Sequence, residues 1–177
     1  RKGSKGENIG NGNEKAINQL IAHHSIIFEP DKLRLWISTA PWQVGAYLCY
    51  DLDSIFQASA SRKDRREIYL KDMQIPEDPF LSTKEYQDFL QFKKLLGIYQ
   101  DAVKKGKPIP DEESTREKFI ASNPDFFQVY YTIGRYFQDQ GDQETAAKYY
   151  TLAVSKEVAS KTERENIRQR MEECIDE

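Results

Sequence analysis

The chain is poor in the residues that usually carry catalysis and metal binding: its 177 residues include two cysteines and two histidines. Cys49 and Cys174 lie far apart without CxxC spacing, so neither a zinc site nor a disulfide framework is predicted. No metal or cofactor is expected. No run of about 18 apolar residues occurs, which predicts that no segment spans a membrane. No signal peptide is recognised in a sequence that starts at Arg1, as a processed or truncated piece would, so no compartment is predicted.

The charge balance argues against nucleic acid as a partner. Lysine and arginine total 26 against 29 aspartate and glutamate residues, giving a formal net charge of −3. Without a general basic field, the chain is not expected to bind nucleic acid. The mean hydropathy of −0.77 is low, yet aromatic residues make up 12% of the chain, which argues against disorder. This combination is typical of a helical array with solvated faces.

The pattern along the chain divides it into four parts and predicts an α+β fold. Residues 1–16 are rich in glycine and expected to be flexible. Residues 17–57 predict a short antiparallel β meander of about three strands, and residues 58–81 a linker in which the run 59–67 could form a short helix. Residues 82–177 predict an all-helical, tetratricopeptide-like hairpin array.

The β meander is predicted from alternation and turn residues. The expected strands cover 20–28, 33–39 and 46–51. The turn at Pro30 and Asp31 predicts that the first two strands form a hairpin. Both faces of the first strand carry apolar groups, so we expect it to be covered on both sides.

The helical part is predicted from capping boxes and apolar stripes. Ser82 with Glu85 and Thr162 with Glu165 have the spacing in which a hydroxyl and a carboxylate satisfy the amides of a helix N-terminus. The expected helices run from about 82 to 105, 112 to 121, 125 to 140, 143 to 156, and from 162 onward.

Residues 127–160 resemble a tetratricopeptide repeat, a helix–turn–helix unit of about 34 residues. The matching positions are Phe127, Tyr130, Ile133, Gly134, Phe137, Gly141, Ala146, Tyr150 and Ala153. Val158 departs from the pattern, which has proline there. The preceding hairpin, 82–124, reads as a degenerate repeat. Such an array either offers a groove to a peptide or protein partner, or only braces the β segment.

The chain by itself supplies no hydrolytic triad. His23 and His24 are the only imidazoles, and neighbouring strand residues point to opposite faces, so they cannot act together. We expect one histidine to be buried and hydrogen-bonded and the other to be exposed. Cys49 paired with a histidine is an alternative, but nothing marks that thiol as activated.

The β segment carries a second resemblance. The stretches Asn18–Phe28, Leu33–Ser38, Pro41–Trp42 and Tyr50–Leu52 read NQLIAHHSIIF, LRLWIS, PW and YDL. This hairpin pattern resembles the last strands of the acyl-coenzyme A:6-aminopenicillanate acyltransferase-like family of N-terminal-nucleophile hydrolases. The resemblance implies one part of an αββα sandwich and extends only from Asn18 to Phe56.

The resemblance implies acyl transfer or amide hydrolysis by an N-terminal cysteine whose α-amine acts as base. No cysteine precedes Cys49, so the nucleophile would lie upstream and this chain alone would be inactive. Asn18 would then be an oxyanion donor, and His23, Ser25 and Trp42 would line the substrate pocket. The structural alternatives are a turn-capping asparagine, ordinary sheet packing and a hydrophobic cover.

Three hypotheses follow from the sequence. In the first, the chain is the C-terminal fragment of an acyltransferase or amidohydrolase, and its partner is the upstream part of the same protein. In the second, it is a non-enzymatic, tetratricopeptide-like module that binds a protein or peptide. In the third, it is a purely structural domain. An apolar sheet face left exposed would favour the first.

Overall fold

The computed structural model describes residues 2–16, 20–58 and 68–176. The chain forms two compact units. One comprises residues 1–19 together with 84–177, and the other comprises residues 20–83. Along the sequence, the sheet unit therefore lies between the N-terminal segment and the helices that form the other unit. Asn18 and the run 59–67, where a short helix was considered, lie outside the described residues.

In its described residues, the sheet unit contains four antiparallel strands in the order β1-β2-β3-β4. They are β1 Ile26–Glu29, β2 Arg34–Ser38, β3 Tyr47–Asp51 and β4 Leu70–Ile75. The short helix α1, Leu52–Ala58, follows β3 directly. The predicted α+β class and the antiparallel hairpin are confirmed, whereas the estimate of about three strands was one too low.

The strand that the sequence did not predict is β4, which lies in the region expected to be a linker. Its sequence, LKDMQI, places polar residues on both faces and lacks the β-branched run that identifies a strand. It forms because β3 offers its free edge, with Tyr47 paired to Ile75 and Cys49 to Leu70 across an irregularity. The indole N–H of Trp36 also donates to the carbonyl of Met73 at 2.7 Å, tying β4 to β2.

The first strand is shorter than predicted and is not covered on both sides. It covers Ile26–Glu29 rather than 20–28. The side chains of Ile26, Ile27 and Phe28 are 50%, 43% and 63% exposed. The periodicity identified apolar positions correctly, but burial requires a neighbouring layer, which the described residues do not place over β1.

The other unit contains five helices in its described residues, with bounds close to those predicted. They are α2 Lys84–Lys105, α3 Glu112–Ser122, α4 Phe127–Asp139, α5 Gln143–Ser155 and α6 Lys161–Asp176. The cap of α6 differs from the expectation at Thr162. Ser160 Oγ accepts from the Glu163 N–H and donates to its carboxylate, both at 3.1 Å, so the box begins two residues earlier.

The α4–α5 hairpin is the centre of this unit. A Cβ added at Gly134 would lie 2.8 Å from the ring of Tyr150 and 3.3 Å from the carbonyl oxygen of Ala146. Only glycine therefore permits this approach of the two helices. The Tyr150 hydroxyl donates to Gln138 Oε1 at 2.7 Å, and Arg170 of α6 reaches the same oxygen at 3.2 Å.

A polar contact fastens α3 to its neighbours. Glu112 accepts a hydrogen bond from the hydroxyl of Tyr99 at 2.8 Å and pairs with Arg116 at 2.9 Å. The Arg116 guanidinium lies over the rings of Phe137 and Tyr149, 5.4 and 6.0 Å from their centroids. One ion pair therefore links α2, α3, α4 and α5 through both charge and aromatic contact.

The glycine-rich N-terminal segment, expected to be flexible, is packed against the helices. Asn11 and Asn123 exchange two hydrogen bonds, of 3.0 and 2.8 Å, between backbone and side-chain amide. Asn13 is fully buried and donates to the carbonyl of Glu157 at 2.8 Å. Composition alone did not predict this packing, because the residues that hydrogen-bond the N-terminal segment lie more than 100 residues away in sequence.

The Gly134 contact predicts a selective loss of stability. Gly134→Ala should lower the free energy of unfolding by about 1–3 kcal/mol, because the new methyl group overlaps Tyr150. Gly97→Ala is the matched control: that glycine is exposed in helix α2 with open space around it, and its substitution should be stabilising by about 0.5–1 kcal/mol. Urea unfolding followed by circular dichroism measures both, and equal effects would contradict the close approach.

The contact of Lys15 with Glu157 predicts a pH dependence. Its hydrogen bond and charge lower the pKa of Glu157 from the ordinary value of 4.5. The contact therefore contributes stability above pH 4.5, which is lost as the pH falls through the lower, folded-state pKa. The difference in unfolding free energy between the wild type and Glu157→Gln should shrink on acidification. In a Lys15→Gln background, which removes the partner of Glu157, this trend should become much weaker.

Candidate functional site

Across strands β1 to β3, one face of the sheet carries only apolar and aromatic side chains. Cross-strand partners share a face, and the register places six residues together: Ile26, Phe28, Leu35, Ile37, Leu48 and Tyr50. None of the six is buried. The opposite face differs, since Cys49 and Ser38 there are 0% and 4% exposed. Ile26 and Phe28 are exposed and the other four are half-buried, so the described residues cover this apolar sheet face only in part.

Within the part of the chain that the structure describes, no strand pairs with the outer edge of β1. The carbonyl of Ser25 accepts from the Ser38 N–H at 3.0 Å, so the backbone groups of Ser25, and by alternation those of Ile27, point toward β2. The backbone groups of Ile26 and Phe28 then point outward, on the same residues whose side chains are most exposed in this strand.

The described pocket candidates of the sequence gather at one end of the sheet. Ser25 is half-buried, and its N–H donates to Ser38 Oγ at 2.8 Å, at the end of β2. Trp42 is half-buried in the loop that leaves β2 at that end, with a positive φ of 49°. His23 precedes Ser25 by two residues and is exposed. Asn18 lies outside the described residues.

The histidine expectations were wrong in two respects. His23 and His24 precede β1 rather than belonging to a strand, so alternation does not assign them to opposite faces. Both are exposed, whereas one was expected to be buried.

The loop that carries Trp42 is held by its own hydrogen bonds. The Thr39 hydroxyl donates to the carbonyl of Ala46 at 2.9 Å, and the Tyr47 hydroxyl to that of Gln43 at 3.1 Å. The carbonyl of Val44 accepts from the N–H of Asp78 at 2.8 Å. This loop is therefore a fixed wall on which an aromatic side chain can serve as a contact surface.

The helical unit contains a separate candidate, the α2–α4 groove. It has a volume of about 380 Å³ and is lined by Gln100, Val103, Lys104, Gln128, Tyr131, Thr132 and Arg135. Its lining includes two cations, two amides and two hydroxyls, but no carboxylate. Arg135 is half-buried, and its closest polar contact is the Tyr131 hydroxyl at 3.4 Å. Within the described residues, neither Lys104 nor Arg135 has a carboxylate within 4 Å.

Sequence reasoning missed this groove although a signal was present. The α4 lining residues follow the spacing i, i+3, i+4, i+7, which marks one face of a helix. The residues of α4 that carry the tetratricopeptide resemblance are apolar, aromatic or small. The groove-lining residues on the neighbouring face of the helix were not interpreted as a site.

Other kinds of site find no support in the described residues. No three histidine, cysteine, aspartate or glutamate side chains there are grouped so that they could hold a metal ion. Over the same residues, no helix combines the length and apolar character needed to cross a membrane.

Comparison with protein-family models, curated proteins and solved structures finds no match to this chain. The two resemblances noted from the sequence therefore remain predictions, and function must be argued from the site itself.

The environment of Cys49 predicts an unreactive thiol. Burial raises its pKa above the ordinary value of 9.0, and the nearby Arg34 only partly opposes this. At neutral pH the folded protein should therefore leave Cys49 unalkylated by iodoacetamide, because the thiolate is the reactive form. Peptide mass spectrometry should detect labelling of Cys49 only in urea. A Ser54→Cys variant, at an exposed position, provides the control for reagent activity. Rapid native labelling of Cys49 would restore the alternative of a cysteine–histidine pair.

Proposed function

We propose that the chain is the C-terminal part of an acyltransferase or amide hydrolase of the N-terminal-nucleophile class. The observation that supports this is the apolar sheet face on β1 to β3, of whose six side chains two are exposed and four are half-buried. In an αββα sandwich each sheet packs one face on a second sheet and the other on helices. A sheet with an open apolar face and an open edge at β1 is what one part of such a sandwich would present.

The proposed chemistry uses a nucleophile outside this chain. An N-terminal cysteine thiol would give its proton to its own α-amine and attack the acyl carbonyl, and the amine or thiol leaving group would depart with a proton. Water or an acceptor amine would then attack the acyl-enzyme and regenerate the thiol. Backbone or amide donors would hold the oxyanion in each step.

The residues of this chain would contribute binding rather than bond making. Ser25, anchored to the end of β2, and Trp42, on the fixed loop beside it, would form one wall of the acyl pocket. His23 precedes Ser25 at the same end of the sheet and would contact the substrate from the rim. Asn18 would act as the amide donor to the oxyanion. The chain alone would have no activity.

The test uses the complete polypeptide that contains this chain, with acyl-amide substrates. We expect turnover to be lost when the proposed N-terminal cysteine is replaced by alanine, and an acyl adduct to appear on that cysteine in the wild type. Trp42→Ala should raise KM while Trp36→Phe, on the sheet, leaves it unchanged. Equal turnover by the wild type and the cysteine variant would refute the enzyme proposal.

A second candidate function concerns the helical unit and is favoured by the α2–α4 groove. We propose that this unit is a tetratricopeptide-like module that binds a peptide or protein. Helices α4 and α5 meet at Gly134 and Ala146, two of the positions that carry the repeat resemblance. Asn123 and Glu157, which both contact the N-terminal segment, lie 34 residues apart at the ends of successive hairpins. That interval equals the expected repeat period of about 34 residues.

A further inference from the structure

We propose that the α2–α4 groove binds the carboxylate groups of an acidic peptide, with Arg135 and Lys104 as the charged contacts. This inference rests on the second candidate function, the helical unit as a binding module. It adds the chemical class of the partner and the residues that would recognise it.

The first argument is charge. The whole chain carries a formal net charge of −3, yet the lining of this groove has two cations and no acid. The nearest acidic neighbour in sequence, Asp101, is already paired with Lys105 at 2.8 Å. Asp101 also interacts with Lys104, but beyond ion-pair distance, so a carboxylate entering the groove would still meet net positive charge, and an acidic partner would be attracted to this surface in preference to the rest of the chain.

The second argument is the hydrogen bonding of the Arg135 guanidinium. A half-buried guanidinium usually has a carboxylate or phosphate partner, because its five N–H donors are costly to leave without acceptors. Here the one hydrogen bond in the described residues is a long one, 3.4 Å, to the Tyr131 hydroxyl. The planar fork of Arg135 is thus held on α4 with donors available to a ligand.

The third argument is the remaining lining. Gln100 and Gln128 offer amide donors and acceptors, which suit the backbone of an extended peptide, and Val103 offers a small apolar contact. The volume of about 380 Å³ is near the lower end of the range for ligand sites, about 300–1,000 Å³. The groove therefore fits a short peptide segment rather than a folded surface.

The experiment measures binding of fluorescent peptides to the full chain by anisotropy at low salt. The probe is a peptide of alternating alanine and glutamate with an amidated C-terminus. Its matched control replaces glutamate by glutamine, and a third peptide is the glutamine form with a free C-terminal carboxylate. We expect the glutamate peptide to bind more tightly than the amidated glutamine peptide. The third peptide shows whether a terminal carboxylate alone is sufficient.

Variants assign the effect to the groove. Arg135→Gln should weaken binding of the glutamate peptide about tenfold, as expected for loss of a charge-assisted hydrogen bond. Arg135→Lys, which keeps the charge but loses the fork, and Lys104→Gln should each show a smaller loss. Arg168→Gln and Lys148→Gln, at exposed positions of α6 and α5, make the same charge change elsewhere and should leave the affinity unchanged. If Arg135→Gln fails to fold by circular dichroism, the comparison of Lys104→Gln with Lys148→Gln decides.

The possible results separate the two levels of the proposal. Equal affinity for the glutamate and glutamine peptides would overturn the carboxylate proposal while leaving the binding module intact. Equal losses in the groove variants and in the α5 and α6 controls would also overturn it, since the effect would then be one of net charge. Absence of binding by every peptide would overturn both the carboxylate proposal and the module.

Discussion

The close approach of α4 and α5 at Gly134 is the contact on which the helical unit depends. Tyr150 packs where any side chain at residue 134 would stand, and it is fully buried. Its hydroxyl reaches Gln138, which also accepts from Arg170, so α6 is joined to the hairpin through the same side chain. On the groove side its ring lies 6.1 Å from that of Tyr131. A buried aromatic core thus sets the positions of the polar side chains that line the groove.

The sheet unit has the opposite character. Its strands are hydrogen-bonded to one another and its loop between β2 and β3 is fixed, yet the apolar side chains on one face of β1 to β3 are exposed or only half-buried. Removing six such side chains from water would be favourable, since burial of apolar area contributes about 25 cal/mol per Å². This difference in burial is the physical basis for proposing an enzyme layer in one unit and a binding surface in the other.

Sequence reasoning succeeded where the signal was local. The bounds of α2, α3 and the α4–α5 hairpin follow from apolar spacing, from Gly141 and from the prolines between helices. The hairpin around Pro30 was confirmed for the same reason. Sequence reasoning failed where a partner far away in sequence decides whether a segment forms a strand or packs against the helices. Strand β4 forms only because β3 offers an edge, and the glycine-rich segment is held by Asn123 and Glu157.

The sequence by itself determined the class of the fold and the helix periods, because these depend on residue type and short spacing. The tertiary structure alone decided which apolar residues are buried and, among the described residues, which cations have a carboxylate within 4 Å. Phe28 and Tyr150 are both large aromatic residues at apolar positions of regular elements, but the first is 63% exposed and the second is fully buried. Burial and charge compensation are properties of neighbours in space, and sequence distance does not encode them.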